Sequence, residues 1–385
     1  MPDTDNPSQP EGEAREEYFE SHATGVELET DDAPGTEEPE PWDPEKIRIH
    51  TKHYSLRQVV DMIREGDIDL APDFQRQYVW KARQRSGLIE SLLLGIPLPS
   101  FYFNEDDTGR LQVVDGVQRL TTIYQYVTDP AVKLGDVTYL HDLESQGFDD
   151  LATLFRRRLS SAQFVAHVID PQTPYRVKFD IFRRINTGGT PLSAQEIRHC
   201  MSKTQSRKFL KRLVNNKSFV TATGGALMNH PRMADREVAL RFVAFRLFTP
   251  DDYEQHGSFD EFLGFVTSRL DEPTGEDLDN LRREFVRGMT NGYTVFGENA
   301  FRKWPWDANR KSPINRALFE SWGTVLADYE EVAIRSAAKE LVSRAREMMT
   351  NDPEFLHSIS SSTGNIRNVR TRIGKVRELT EEVVR

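Results

Sequence analysis

Three short segments hold the residues of this chain whose types and spacing could do chemistry. The first is Pro72-Asp-Phe-Gln-Arg-Gln-Tyr-Val-Trp80, which sets Arg76 among the aromatics Phe74, Tyr78 and Trp80. Alternate residues of an extended chain share a face. An arginine flanked by aromatics on that face is held by stacking and presents its planar fork to an anion. The same pattern also serves a core in which Arg76 makes a structural ion pair. The second segment is Leu111-Gln-Val-Val-Asp-Gly-Val-Gln-Arg-Leu-Thr-Thr122, an apolar run that breaks at Asp115-Gly116 and continues with helix formers. A helix that starts there offers unpaired N–H groups and the positive end of its dipole to a phosphate. Gly116 would let a ligand approach the backbone closely. Gln118 and Arg119 lie in the first turn, and Asp115 has three open roles: metal ligand, water orienter or helix cap. The third segment, Phe182-Arg-Arg-Ile-Asn-Thr-Gly-Gly-Thr-Pro-Leu-Ser-Ala-Gln-Glu-Ile197, carries Asn186 and the flexible pair Gly188-Gly189. It reads either as a loop lying against a ligand or as a tight helix–helix connection.

The elements that must position these segments can be read from periodicity and punctuation. Ser55 is an expected N-cap for a helix over Leu56–Arg64, with Gly66 as its stop. An extended stretch from Ile68 to Arg76 follows, then a helix over Ala82–Leu94 closed by Gly95. Ser100–Asn104 and Leu111–Val114 read as strands joined by a turn at Asp106-Asp-Thr-Gly109. The helix after Gly116 runs over Val117–Val127, and Gln163–Asp170 is a further strand. Pro174 opens a helix that continues to Arg184. Ser193-Ala-Gln-Glu196 is a capping box that starts the next one, a second helix end suited to an anion. Past residue 205 only helical periods remain, at Glu237–Leu247, Leu278–Met289, Ala317–Leu326 and Val332–Met349. The fold class expected is therefore α+β: residues 46–200 form an α+β domain and residues 201–385 an α-helical domain.

Charge is distributed unevenly along the 385 residues, whose formal total is −11. Residues 1–45 carry five Asp and eleven Glu against Arg15 alone, while the remainder holds 49 basic against 45 acidic residues. So acidic and so poor in aromatics, the first 45 residues read as a disordered tail, either a plain solvated tail or an arm competing with DNA for a basic face. The mildly basic body permits a nucleic-acid partner without requiring one. The basic helix containing Arg367, Arg370, Arg372 and Lys375 is the candidate DNA contact, weighed against a solvated charged face. Cys200 is the single cysteine, which excludes an internal disulfide and a multi-cysteine zinc site. With no secretory leader and no long apolar run, the composition points to a cytoplasmic protein without a membrane partner.

The motifs Phe74-Gln-Arg-x-Tyr-Val-Trp80, Leu88-Ile-Glu-Ser-Leu-Leu-Leu-Gly-Ile-Pro-Leu-Pro99, Val113-Val-Asp-Gly-x-Gln-Arg-Leu-Thr-Thr122 and Phe182-x-x-Ile-Asn-Thr-Gly-Gly189 occur in that order. Together they resemble the N-terminal domain family of GmrSD-type modification-dependent restriction enzymes, over about residues 50–200. The resemblance implies a ParB/sulfiredoxin-like fold for that domain and a nucleoside triphosphate as ligand; Mg2+ brought by such a nucleotide would need few protein carboxylates. The family's Asp-Gly-Gln-Gln-Arg motif, linked to triphosphate binding and hydrolysis, maps onto Asp115, Gly116, Val117, Gln118 and Arg119. Val117 stands where the family has its first glutamine. On this reading Asp115, Gln118 and Arg119 are catalytic and Asp115 also faces the metal. Gln75, Arg76, Tyr78, Gly116, Thr121, Asn186 and Gly188 bind the nucleotide. The expected activity is nucleotide-dependent phosphohydrolysis in DNA defence. The alternatives are a DNA-binding or nucleotide-sensing module without turnover, or the partner of a separately encoded nuclease. Many relatives carry an HNH nuclease, which needs a histidine base and metal ligands on a short ββα unit. His230, His256 and His357 are scattered over a helical half, so no such unit is expected here.

Overall fold

The computed structural model describes residues 14–19, 21–29, 43, 46–70, 80–185, 192–272 and 274–384. By their contacts these divide into two units, one within residues 41–201 and one made of residues 202–384 with the described N-terminal residues before 41.

The first unit is built on strands β3 (Ile49–Ser55), β4 (Ile68–Asp69), β5 (Phe101–Glu105), β6 (Leu111–Asp115) and β7 (Gln163–Ile169). They form one mixed sheet in the order β3-β7-β5-β6-β4. β5 and β6 are the expected hairpin; Asp106 caps the turn, accepting from Thr108 N at 2.9 Å and Arg110 N at 3.0 Å. The non-consecutive neighbours β5 and β7 run parallel, as do β4 and β6. One sheet face carries Phe101, Phe103, Val113, Phe164 and Val168 into an apolar core. Four helices share that core: α1 (Leu56–Glu65), α2 (Ala82–Leu94), α3 (Val117–Thr128) and α4 (Thr153–Ser161). Ser55 caps α1 as expected, accepting from Gln58 N at 3.3 Å, and Gly66 and Gly95 close α1 and α2 with left-handed backbones. The unit ends with α5 (Tyr175–Ile185) and α6 (Ala194–Met201), and α6 packs near β6.

The second unit is helical from α7 (Thr204–Val214) through α8 (Lys217–Thr223), α9 (Ala234–Leu247), α10 (Pro250–Glu254), α11 (Phe259–Arg269), α12 (Gly275–Phe296), α13 (Arg316–Leu326), α14 (Glu331–Asn351) and α15 (Pro353–Ser360) to α16 (Ile366–Val383). Helix α13 is buried along its whole length, and the charged residues it carries, Arg316 and Glu320, are met by ion pairs with Glu17 and Arg372.

The expectation of a disordered tail over residues 1–45 is corrected for its described part. Strands β1 (Glu16–Phe19) and β2 (His22–Glu27) pair antiparallel. Val26 is fully buried in the helical core. The acidic residues that suggested disorder find two buried arginines and a half-buried lysine instead. Glu29 pairs with Arg241 at 2.6 Å, Glu27 with Lys303 at 2.5 Å and Glu17 with Arg316 at 3.0 Å. A carboxylate-rich segment orders when arginines held by distant helices meet it, and composition alone does not carry that information.

Candidate functional site

Strand β6 passes into α3 through one residue. Gly116 has φ +100°, a conformation that side-chain-bearing residues rarely adopt, and it is the N-cap of α3. The close approach expected of a ligand is made by protein instead. A Cβ at position 116 would stand 2.4 Å from Phe101 Cδ1 and 3.2 Å from Arg119 Nη2. Glycine is thus required here because the turn rests on the Phe101 ring.

Arg119 lies folded back over the same ring, its guanidinium carbon 4.4 Å from the centroid. It donates from Nη2 to Asp115 Oδ2 at 2.7 Å and to the Ser100 carbonyl at 3.3 Å, and from Nη1 to the Pro99 carbonyl. Desolvation weakens its hold on the proton more than Asp115 restores it, so its pKa is lowered from the usual arginine value. The residue works as a tie between the start of α3 and the chain entering β5. Asp115 keeps about a third of its side chain exposed while making this pair. Among the described residues no side-chain oxygen caps α3, and its first N–H groups have no partner within the helix. Gln118 sits in that first turn, its Oε1 buried without a hydrogen bond among the described residues. Val117 departs from the glutamine of the resembling family, and its side chain packs against the core. Thr121 is half-buried in the next turn, and Thr122 binds back to the Gln118 carbonyl at 2.7 Å.

Residues 56–202 match the family model of the GmrSD restriction endonuclease, N-terminal domain. No curated protein matches the chain. The match covers all four motifs that carry the resemblance. Asp115, Gly116, Gln118 and Arg119 meet at one turn inside the matched segment. Gln75, Arg76, Tyr78, Asn186 and Gly188, expected to bind the nucleotide, lie outside the described residues. The Ser193 helix start, expected as a second anion-binding end, is closed by its own capping box. Glu196 Oε2 accepts from Ser193 N at 2.6 Å, and Ser193 Oγ accepts from Glu196 N at 3.1 Å.

Two features near the site escaped sequence reading. The first is a cavity of about 290 Å³ between α2 and α3, with Arg85, Lys133, Ser86, Thr122 and Tyr126 in its wall. Its outer loop is held by α2: Ser86 Oγ accepts from Gly135 N at 2.9 Å, and buried Glu90 accepts from the N–H groups of Thr138, Tyr139 and Leu140. Burial pushes the Glu90 carboxyl up, but those three bonds outweigh it and its pKa is lowered. The second is a row of register partners across four strands, Thr51–His167–Tyr102–Asp115. A bulge in the β5–β6 pairing, beside Tyr102, brings Asp115 opposite it.

The candidate DNA helix is α16, and its basic residues are largely committed to protein. Arg372 is fully buried against Glu320, so the expectation that it reaches a DNA phosphate is corrected. Arg370 pairs with Asp251 and Glu254, and Lys375 with Asp352 and Glu354. Arg367 is exposed, with no ion pair among the described residues. Seen alone, the 367–377 stretch is a cationic face; in the fold it is the inner and lateral side of a helix that meets carboxylates from α10, α13 and α15. Among the described residues no group of three His, Cys, Asp or Glu side chains could hold a metal, and no helix is long and apolar enough to cross a membrane.

Proposed function

We propose that the β6–α3 turn binds the phosphates of a nucleoside triphosphate, and that the protein hydrolyses it within a restriction or phage-defence process acting on DNA in the cytoplasm. One observation carries the reading. In a segment matching the GmrSD N-terminal domain, α3 begins uncapped beside Asp115 and Gln118. The free N–H groups and the helix dipole supply the anion site. Arg119 acts as a positioning residue: it locks the turn through Pro99, Ser100 and Asp115 and adds positive charge beside the phosphates. Magnesium brought by the nucleotide needs few protein ligands, and the Asp115 carboxylate, with one oxygen engaged by Arg119, is the acid group that suits it or its waters. Gln118 would orient the attacking water. A ParB/sulfiredoxin-like fold is part of the same proposal. Isothermal titration with each triphosphate, followed by phosphate release with magnesium in the presence and absence of DNA, tests it. Turnover that falls at least tenfold in Asp115→Asn and Gln118→Ala is expected. Wild-type protein that binds no triphosphate refutes the reading.

The second reading is a nucleotide-sensing partner of a separate nuclease, without turnover. Val117, turned into the core where the family carries glutamine, favours it. Tight triphosphate binding with no phosphate release under any of those conditions decides for this alternative.

A further inference from the structure

The row of register partners extends from Asp115 into an aromatic pair. Tyr102 on β5 and His167 on β7 are paired in register, with ring centroids 5.0 Å apart and planes tilted by 36°. Thr51 on β3 fixes the histidine, its Oγ1 3.1 Å from Nδ1, which leaves Nε2 as the nitrogen a ligand reaches. Both rings are half-buried, whereas the neighbouring Phe101, Phe103, Phe164 and Val168 lie in the core. On structural grounds alone such a cross-strand pair adds only a modest increment to sheet stability.

Its position gives it a further use. Tyr102 is the direct ladder partner of Asp115, and His167 stands one strand beyond. At about 4.8 Å per strand, the backbone positions of Tyr102 and His167 lie roughly one and two strand spacings from Asp115, the residue before the turn that starts α3. That span suits the separation between the base and the phosphates of one nucleotide. Tyr and His rings stack on bases of any sequence, since every base offers a π-face. We propose that Tyr102 and His167 form the stacking surface for the base of the nucleotide whose phosphates bind the start of α3. The ligand is then a nucleotide carrying its base, with Nε2 of His167 at the base edge, and inorganic polyphosphate is a poorer substitute. This inference rests on the phosphate reading of the β6–α3 turn.

Titration calorimetry with magnesium, comparing the four nucleoside triphosphates with inorganic tripolyphosphate, tests it. Wild-type protein should prefer a nucleotide over tripolyphosphate. Tyr102→Ala and His167→Ala should each weaken nucleotide binding on the order of ten- to a hundredfold while leaving tripolyphosphate unchanged. Tyr102→Phe should retain the wild-type preference, which controls for folding, with thermal melts of each variant alongside. If both alanine variants keep the full preference for nucleotide, or if wild type binds tripolyphosphate as tightly as any nucleotide, the stacking surface is refuted and the phosphate site stands. If wild type binds neither ligand, both readings fall together.

Discussion

Replacing Gly116 by alanine tests the claim that the turn is shaped by protein packing. Two costs add. An alanine at φ +100° loses about 1 kcal/mol against glycine. Its Cβ would also stand 2.4 Å from Cδ1 and 2.8 Å from Cε1 of Phe101, so the ring must move within a packed core, which costs about 1–3 kcal/mol. The sum is about 2–4 kcal/mol, and in a unit of this size it lowers the thermal midpoint by roughly 5–15 °C. Differential scanning calorimetry, with hydrogen exchange of the α3 amides to assign the transition, measures it. The contact itself is isolated by repeating the substitution in a Phe101→Leu background. There the collision is relieved, the conformational cost remains, and the two substitutions should be non-additive by about 1–2 kcal/mol. A midpoint change under 2 °C, or strict additivity in the double mutant, refutes the account of why glycine stands at this position.

Arg119→Lys keeps the charge but cannot serve Asp115 and two carbonyls from one planar group, so it should cost about 1–2 kcal/mol in urea denaturation. Glu29→Ala leaves buried Arg241 short of its bidentate partner and should destabilise the helical unit by about 3 kcal/mol; an unchanged melt would show that β1–β2 is dispensable. Glu90 has a lowered pKa in the fold, so its contribution is present above the ordinary glutamate range and lost as pH falls through it. Glu90→Gln should therefore flatten the acid end of the stability curve and speed hydrogen exchange at residues 138–140. Two buried groups of the helical unit oppose each other. Burial lowers His230 from 6.5 to about 4, so its contribution falls as pH drops across that range; burial raises Asp235 from 3.8 to about 6, so its contribution falls as pH rises. Between pH 4 and 6 the slopes, each up to about 1.4 kcal/mol per unit, cancel. His230→Gln should unmask a stability that declines as pH rises from 4 to 6, and Asp235→Asn the reverse, by urea denaturation at a series of pH values.

Local signals were sufficient for the helix ends they mark and poor for the partnerships. Ser55, Gly66, Gly95 and the Ser193–Glu196 box act through atoms a few residues away, and each does in the fold what its type and position imply. The start of α3 was legible for the same reason: an apolar strand, Asp-Gly, then helix formers. What Gly116 and Arg119 touch was not legible, because Phe101 and the Pro99 and Ser100 carbonyls come from a preceding segment whose pairing with β6 is a tertiary fact. The hairpin β1–β2 was lost to composition. Its carboxylates are what made it read as disorder, and they are also what fastens it to Arg241, Arg316 and Lys303.

The same distinction bears on how the site should be probed. Arg119 looks in sequence like the arginine to remove in order to abolish phosphate binding. In the fold its removal would release the chain before β5, leave two carbonyls and Asp115 short of a donor, and uncover the Phe101 ring. A loss of nucleotide binding in Arg119→Ala therefore does not separate a ligand contact from a collapsed turn. Gln118 does separate them, because among the described residues no protein group depends on its Oε1. A Gln118→Ala variant that melts like wild type yet fails to turn over nucleotide assigns chemistry to the turn. One that melts like wild type and turns over normally removes the glutamine from the mechanism and leaves Asp115 as its remaining polar candidate.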